Sequence, residues 1–283
     1  MRGHRGPSRT AQRVALRRAA HQLLDAPLVF ADPLALRIIG ADDERLLTAN
    51  PSHFDATAFD RGLRAFAAAR SRLVEDRLAE AIPEGLSQLV VLGAGLDTFA
   101  YRNPYEQLRV FEVDHPDTQA WKRARLETAG IAVPPSVSYV PVDFATDDAF
   151  DALGAAGFRD DEPSAFSWLG VVTYLTLDAV RSTLRRIASL PRGSFVVFDY
   201  AISRDLLAEH QRAILDEAAA RVAAIGEPFV TFFHPHDLDG ELREAAFSNV
   251  EQLGPAELNA RYFSGRTDDL RAGGMAWIAC ATV

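Results

Sequence analysis

A short apolar strand that breaks at two closely spaced glycines constrains this chain more than any other feature. Residues Leu89 to Leu92 are all apolar, Gly93-Ala94-Gly95 follows them, and the segment after the glycines predicts a helix. A strand that runs into glycines and then a helix leaves free backbone N–H groups at one point, which suits a nucleotide-like ligand. A Cβ at either glycine would block close approach or the sharp turn. The stretch therefore predicts a ligand site at the end of a buried strand, although a plain strand-to-helix turn also fits it.

The third position of the glycine pattern bears on the kind of ligand. Dinucleotide-binding loops follow G-x-G-x-x-G/A, and the third position here is Thr98. Because the pyrophosphate-binding pattern fails, a cofactor without a pyrophosphate, such as S-adenosylmethionine, fits the loop better. A nicotinamide-dependent oxidoreductase is the competing enzyme class, and a non-catalytic protein that binds S-adenosylmethionine is the competing non-enzyme.

Short apolar runs alternate with helical stretches after residue 86, and this alternation predicts the fold class. The runs are 89–92, 110–113, 139–142, 166–172, 195–198, 250–253 and 276–283. The predicted helices between the first five are 117–129, 146–153 and 178–189. The pattern predicts an α/β fold with a mostly parallel sheet and helices on both faces. Nearly continuous apolar strands are typical of strands that are buried on both faces.

Further helical patterns flank this alternation and suggest how the chain is divided. Those before the first strand are 10–25, 34–39 and 54–81, and those after the fifth are 203–225 and 237–246. We expect a helical N-terminal cap or lid over residues 1–85 and an α/β core over 86–283. Within the core, we expect a helical substrate insertion at about 201–246.

Composition and charge exclude several classes of protein. The chain of 283 residues is 48% hydrophobic and 24% charged, which is ordinary for a globular protein with a sizeable core. Its apolar stretches are too short to span a bilayer, and a net charge of −9 argues against general nucleic-acid binding. The first 18 residues carry six arginines and no acid, a pattern that we interpret as a solvated basic helix face rather than a targeting segment. The single cysteine, Cys280, excludes an internal disulfide and fits a reducing cytoplasm, so we expect a cytoplasmic protein with no membrane or nucleic-acid partner.

Carboxylates end the second and third predicted strands. Asp114 lies 21 residues after Gly93, about where a ribose is gripped in nucleotide-binding sheets. Glu112 shares its face of the strand but lies farther from the tip. Asp143-Phe144 ends the next strand, where the acid can accept from an adenine amine and the ring can pack on the base. Each aspartate could instead cap the following helix, and spacing alone leaves that open.

Together these motifs resemble the leucine carboxyl methyltransferase family, and more closely its actinobacterial branch of S-adenosylmethionine-dependent methyltransferases associated with polyketide and other secondary metabolism. The motifs that carry the likeness are Leu92-Gly-Ala-Gly-Leu-Asp-Thr98, Phe111-Glu-Val-Asp114 and Pro141-Val-Asp143. Supporting strings are Thr10-Ala-Gln-Arg-Val-Ala15, Phe30-Ala-Asp-Pro33, Ala69-Arg-Ser71, Tyr174-Leu-Thr176, Phe198-Asp-Tyr200 and Arg261-Tyr262, so that nearly the whole chain is covered. The resemblance implies a class I methyltransferase fold, which is Rossmann-like, with seven strands, one antiparallel strand in the last pair, and a helical lid.

The resemblance also implies which residues bind S-adenosylmethionine. Arg70 would clamp the methionine carboxylate, for which a guanidinium is suited, although from the sequence alone it is a solvated helix arginine. The loop Gly93-Ala94-Gly95 would border the methionine portion. Asp114 would hold the ribose, and Asp143-Phe144 the adenine.

Two departures from the family limit what is carried over. Many relatives have arginine where this chain has Phe99. The family's fourth strand carries a glutamate where this chain has Leu169, so that contact with the cofactor is absent or supplied otherwise. The family's protein-phosphatase substrate is therefore not expected to carry over.

The part of the site that binds the methyl acceptor is expected to be formed by the segments after the fourth strand and by the N-terminal cap. The candidate catalytic residues are Tyr174, His234 and His236, and the candidate substrate-binding residues are Tyr174, Tyr200, Arg261 and Tyr262. A carboxylate acceptor, with a reference pKa of about 4, is already ionised near neutral pH and needs no base, whereas a hydroxyl acceptor does. The two histidines lack a third and fourth ligand nearby, so no metal is expected. We therefore predict an O-methyltransferase that acts on a small secondary metabolite at a carboxylate or hydroxyl.

Overall fold

A seven-stranded sheet forms the centre of the protein in a computed structural model that describes residues 7–51, 56–144 and 146–283. The strands are β1 Gln88–Leu92, β2 Arg109–Asp114, β3 Val137–Pro141, β4 Ser164–Trp168, β5 Phe195–Ala201, β6 Asn249–Leu253 and β7 Ala276–Thr282. Their order across the sheet is β3-β2-β1-β4-β5-β7-β6. Only β7 runs antiparallel to its neighbours, β5 and β6. The predicted α/β class, with a mostly parallel sheet, is confirmed.

The strand order reverses beside β1, and this reversal positions the ligand site. β1 pairs in parallel with β2 on one side and with β4 on the other. The chain thus leaves β1 in one direction along the sheet and returns to continue in the other. Ligands in open α/β sheets bind beyond the carboxyl ends of the strands at such a point.

Helices cover both faces of the sheet and precede it. They are α1 Arg9–Leu24, α2 Ala35–Ile38, α3 Ala41–Ala49, α4 Ala58–Ala81, α5 Pro116–Thr128, α6 Ala149–Ala155, α7 Leu177–Ala188, α8 Glu209–Ala224, α9 Pro235–Glu244 and α10 Pro255–Tyr262. The side chains of Ser8 and Thr57 accept from backbone N–H groups in the first turns of α1 and α4, which fixes where both helices begin. No helix in the described part of the chain is both long and apolar enough to cross a membrane.

The apolar residues of β1 show how the two faces are packed. Leu89 and Val91 belong to the apolar layer that contains the buried face of α4, whereas Val90 and Leu92 belong to the layer that contains α7. This division follows from the alternation of side chains along a strand. It explains why the run is apolar at every position.

Several predicted boundaries are wrong for identifiable reasons. The fourth strand ends at Trp168 rather than at residue 172, because the chain turns at Gly170 and enters a short 3-10 turn. The helix predicted over 203–225 consists of a 3-10 turn followed by α8, which begins at Glu209. Helices α3 and α10 were not expected. The start of the helix predicted over 54–81 falls partly outside the described residues, and the described helix begins at Ala58.

Candidate active site

One cavity of about 580 Å³ opens at the carboxyl ends of the central strands. The turns after β1, β2 and β4 and the last residues of β5 form its floor, and α1, α4 and α8 contribute to its other walls. Its floor includes Gly93, Gly95, Asp114, Gly170 and Asp199. Its position at the strand reversal and its volume are both typical of a small-molecule site.

The glycine loop passes between α1 and the turn after β4 with no room for side chains. A Cβ on Gly93 would lie 2.3 Å from Cγ2 of Val171, and a Cβ on Gly95 would lie 3.1 Å from Cβ of Ala11. Gly93 has φ of 67°, and its N–H donates to the carbonyl of Val113 at 2.8 Å. A side chain at either position would therefore crowd Val171 or Ala11, which gives a steric reason for glycine in this loop.

The Gly93→Ala variant is expected to lose both stability and cofactor affinity. A positive φ costs a non-glycine residue about 1–2 kcal/mol, and relieving the overlap with Val171 costs about 1–3 kcal/mol more. Gly265→Ala is the matched control, because Gly265 has φ of 73° and a Cβ there meets no heavy atom within 4 Å. Urea unfolding of both variants measures the difference, and calorimetry measures binding of S-adenosylmethionine. Equal losses of stability in the two variants would contradict the contact with Val171.

Asp114 ends β2 and faces the cavity with both carboxylate oxygens held by the backbone. Oδ2 accepts from the N–H of Gly95 at 2.5 Å, and Oδ1 accepts from the N–H of His115 at 2.7 Å. Each oxygen keeps a further lone pair for a ligand hydroxyl. Burial raises the pKa of Asp114, although the two backbone bonds oppose the rise. The carboxylate is thus oriented towards the cavity and is easier to protonate than an exposed aspartate.

Cofactor affinity is expected to fall on acidification because of Asp114. Its raised pKa means that it gains a proton above the range of an ordinary aspartate, about 3.9, and a protonated oxygen no longer accepts from a ribose hydroxyl. Burial disfavours the charged form of Asp114 in the folded protein. The free energy of unfolding that is lost through this group therefore becomes smaller as pH falls through its folded-state pKa. Calorimetric titration from about pH 7 to about pH 5 checks the result. The Asp114→Asn variant has no carboxylate to protonate, so its affinity should not change over this pH range, and an equally steep pH dependence in that variant would assign the effect to another group.

Arg70 and Asp199 form a buried ion pair beside the turn after β4. Nη1 of Arg70 donates to Oδ2 of Asp199 at 2.8 Å, and the N–H of Gly170 donates to Oδ1 at 2.5 Å. The two side chains are 9% and 10% exposed, so the pair is desolvated. Sequence reasoning did not identify Asp199 as the partner of Arg70, and the string Phe198-Asp-Tyr200 at the end of β5 was the available signal.

The residues around this pair fit the methionine portion of S-adenosylmethionine. Nε of Arg70 is buried and has no hydrogen-bond partner within residues 7–51, 56–144 and 146–283. A Cβ on Gly170 would lie 3.1 Å from both Nη atoms of the same guanidinium, so glycine leaves space beside it. Leu169 also lines the cavity. Asp199 is the carboxylate that the structure brings next to Leu169 and Gly170.

The residues predicted to contact the adenine are only partly brought to the cavity. Phe144 lines it, as does His115, whose ring accepts from the N–H of Asp117 at the start of α5. Asp143 adjoins Phe144 but is not part of the lining, and its own N–H donates to Asp147 at 2.9 Å. Phe144 is therefore positioned at the cavity, and contact of either residue with the adenine stays a prediction.

Two tyrosines of the predicted acceptor side line the same cavity. Burial raises the pKa of Tyr174 to about 12, with a hydrogen bond to Thr10 acting in the opposite direction. Tyr200 is buried, and its hydroxyl donates to Gln252. Because Tyr174 keeps its proton near neutral pH, it is suited to donate a hydrogen bond rather than to act as a base.

The remaining predicted site residues lie away from the cavity. His234 precedes α9 with Nε2 3.1 Å from Asp205, and the side chain of His236 is fully exposed. Tyr262 on α10 donates to Asp76 at 2.9 Å, and Arg261 next to it is likewise not part of the lining. Of the three candidate catalytic residues, Tyr174 alone reaches the cavity. Within the described ranges, no group of three or more His, Cys, Asp or Glu side chains could hold a metal ion.

Known proteins of similar sequence and fold point to one family. Residues 11–188 match the family model described as leucine carboxyl methyltransferase. YktD of Bacillus subtilis bears the name of an S-adenosyl-L-methionine-dependent methyltransferase and is 32% identical over 280 residues, covering 91% of this chain and 92% of YktD. A relative of the same description from Mycobacterium sp. (strain JLS) is 35% identical over 222 residues, 73% of this chain and 71% of its own. The fold is shared with a DUF574 family protein from Streptomyces avermitilis, at a TM-score of 0.55 and 20% identity over 88% of this chain and 96% of that one.

Proposed function

The chain belongs to the leucine carboxyl methyltransferase family and is an S-adenosylmethionine-dependent methyltransferase, and on that premise we propose that it methylates an oxygen, in a carboxylate or a hydroxyl, of a small secondary metabolite. The observation that carries the proposal is a single continuous cavity. It contains the glycine loop and Asp114, which suit the cofactor, together with Tyr174 and Tyr200, which suit an acceptor. One enclosed space for both molecules is what direct transfer requires.

The chain's own residues supply binding and orientation for the cofactor. Asp114 would accept from the ribose hydroxyls, the loop of Gly93 and Gly95 would border the methionine portion, and the free donor of Arg70 would bind its carboxylate. Phe144 would pack on the adenine. When bound, S-adenosylmethionine would supply a methyl group on a positively charged sulfur. A carboxylate acceptor is already ionised and could take the methyl group directly by displacement, whereas a hydroxyl acceptor would also have to give up its proton.

The acceptor is held mainly by apolar side chains. Phe59, Leu63 and Phe66 of α4 line the cavity together with Tyr174 and Tyr200. These groups exclude water and restrict the acceptor to few orientations, which is the principal catalytic contribution that a displacement of this kind needs. Tyr174, which keeps its proton, can donate to an acceptor oxygen and fix its direction.

Transfer of label from S-adenosylmethionine carrying a radioactive methyl group tests the proposal. We expect label in small molecules of a bacterial metabolite extract, and treatment with hydroxylamine separates methyl esters, which release the label, from methyl ethers, which keep it. Label on nitrogen or carbon would contradict O-methylation. Binding of S-adenosylmethionine without any transfer would instead support a non-catalytic protein, and calorimetric binding of NAD in its place would support an oxidoreductase.

A further inference from the structure

Among the described residues, five arginines line the cavity, and two of them, Arg18 and Arg70, are paired with the buried Asp32 and Asp199. Arg13 and Arg17 lie four residues apart on α1 and therefore share a face of that helix, and Arg221 lies on α8. We call these three residues the arginine cluster. Of the carboxylates near them, Glu217 pairs with Arg221 at 2.6 Å.

Arg17 is the half-buried member of this cluster, and the carboxylate nearest to it is distant. Its side chain is 21% exposed, and the carboxylate that reaches it is Asp60, at 4.0 Å between Nη2 and Oδ1. Nε of Arg17 is buried, and within the described part of the chain it has no hydrogen-bond partner. Nη1 of Arg17 donates to the carbonyl of Arg13 over a long distance, 3.4 Å. A buried cation with unused donors is costly unless a ligand pairs with it.

The neighbouring residue, Arg18, is also buried in α1, but it lies beside a carboxylate at short range. Arg18 donates to the carbonyl of Leu96 at 2.5 Å and lies 2.7 Å from Oδ2 of Asp32. These contacts anchor α1 to the loop after β1. Arg18 therefore has a structural role, whereas Arg17, one position earlier, faces the cavity with spare donors.

The charged side chains that act most strongly on Arg17 are Asp60 and three arginines. Burial lowers its pKa, and Asp60 offsets this only in part. The remaining contributions come from positive neighbours, which lower the pKa further: Arg13, Arg70 and Arg221. An anion placed among them would be attracted by several charges at once.

Apolar side chains adjoin the arginine cluster in the same cavity. Phe59 and Leu63 are on the turn of α4 that carries Asp60, and Phe229 lies in the segment after α8. An occupant that satisfies both surfaces has an apolar body and a negatively charged group.

We propose that Arg17, with Arg13 and Arg221 beside it, binds an anionic group of the methyl acceptor, so that the acceptor is a small organic anion with an apolar body. The proposal rests on the function proposed above, since it concerns the acceptor of that reaction. The shared chemistry is that of a carboxylate or a phosphate, both of which pair with a guanidinium through two oxygens. Arg17 thereby determines specificity and takes no part in binding the cofactor.

Calorimetry on the protein saturated with S-adenosylhomocysteine tests this assignment without any turnover. The probes are 4-phenylbutyrate, its neutral amide and phenyl phosphate, which separate charge from shape and carboxylate from phosphate. We expect one or both anions to bind more tightly than the amide, and Arg17→Gln to weaken anion binding about tenfold, the loss of a charge-assisted bond. Arg9→Gln is the matched control, because Arg9 is an exposed arginine of the same helix outside the cavity lining.

The outcomes separate this proposal from the function on which it rests. Equal binding of the anions and the amide, or binding of none of them, would overturn it. A fall in affinity for S-adenosylhomocysteine in Arg17→Gln equal to the fall for the anions would also overturn it, because Arg17 would then belong to the cofactor site. Normal binding of S-adenosylhomocysteine together with label transfer would leave the proposed function standing in either case.

Discussion

The Asp114→Ala variant is expected to bind S-adenosylmethionine at least tenfold more weakly than the wild type. Hydrogen bonds to a charged group contribute about 1.5–3 kcal/mol each, and the variant loses the carboxylate that faces the ribose position. It also frees the N–H groups of Gly95 and His115, which the carboxylate now orients. Calorimetric titration with S-adenosylmethionine at neutral pH measures the change. An unchanged dissociation constant would reject the ribose-binding role.

Asp160→Ala is the control variant, because it removes an aspartate that lies outside the candidate active site. Asp160 is exposed in the turn before β4, at the opposite ends of the strands from the cavity. Its replacement should leave both cofactor affinity and stability unchanged within about 0.5 kcal/mol. Asp114→Asn, which keeps one acceptor oxygen, should bind with intermediate affinity. If it binds as weakly as Asp114→Ala, the charge matters more than the remaining oxygen.

Local patterns in the sequence were sufficient to predict the sheet and its ligand-binding edge. Apolar runs separated by helical stretches predict a parallel sheet, and Gly93, directly after β1, marks the edge at which the cavity opens. Asp114 follows from the same reasoning, because the carboxyl ends of neighbouring parallel strands meet at one edge. Glu112, two residues earlier, is the less suitable candidate for binding a ribose because it lies farther from the end of the strand. In the structure it is fully engaged by Lys122 and Tyr101, at 2.8 and 2.7 Å.

Contacts between residues that are far apart in the sequence could not be predicted from local patterns. Arg70 and Asp199 lie 129 residues apart, and nothing local in either segment indicates the other. The unpartnered Nε of Arg17 depends equally on the packing of α1 against α4, because Arg18, next to it in the sequence, lies 2.7 Å from Asp32 whereas Arg17 does not. His234 and His236 illustrate the converse, since residue type suggested a base while the course of the chain into α9 takes both away from the cavity.

The Arg70→Met variant is expected to lose stability and cofactor affinity together. Breaking a buried ion pair by removing one partner costs about 3–5 kcal/mol, because the other charge is left uncompensated. Among the described residues, the N–H of Gly170 would then be the remaining hydrogen-bond donor to Asp199. Chemical denaturation measures the loss of unfolding free energy, and calorimetry with S-adenosylmethionine measures the loss of affinity. Wild-type stability in this variant would contradict the buried pair.

The double variant Arg70→Met/Asp199→Asn separates the structural role of the pair from cofactor binding. The asparagine carries no charge, and its Oδ1 can still accept from Gly170, so most of the lost stability should return. Cofactor affinity should not return, because the donors for the methionine carboxylate are still missing. If the double variant binds S-adenosylmethionine as the wild type does, Arg70 serves the fold alone. If it is stable and does not bind, then stability has been excluded as the cause, and the guanidinium acts directly on the cofactor.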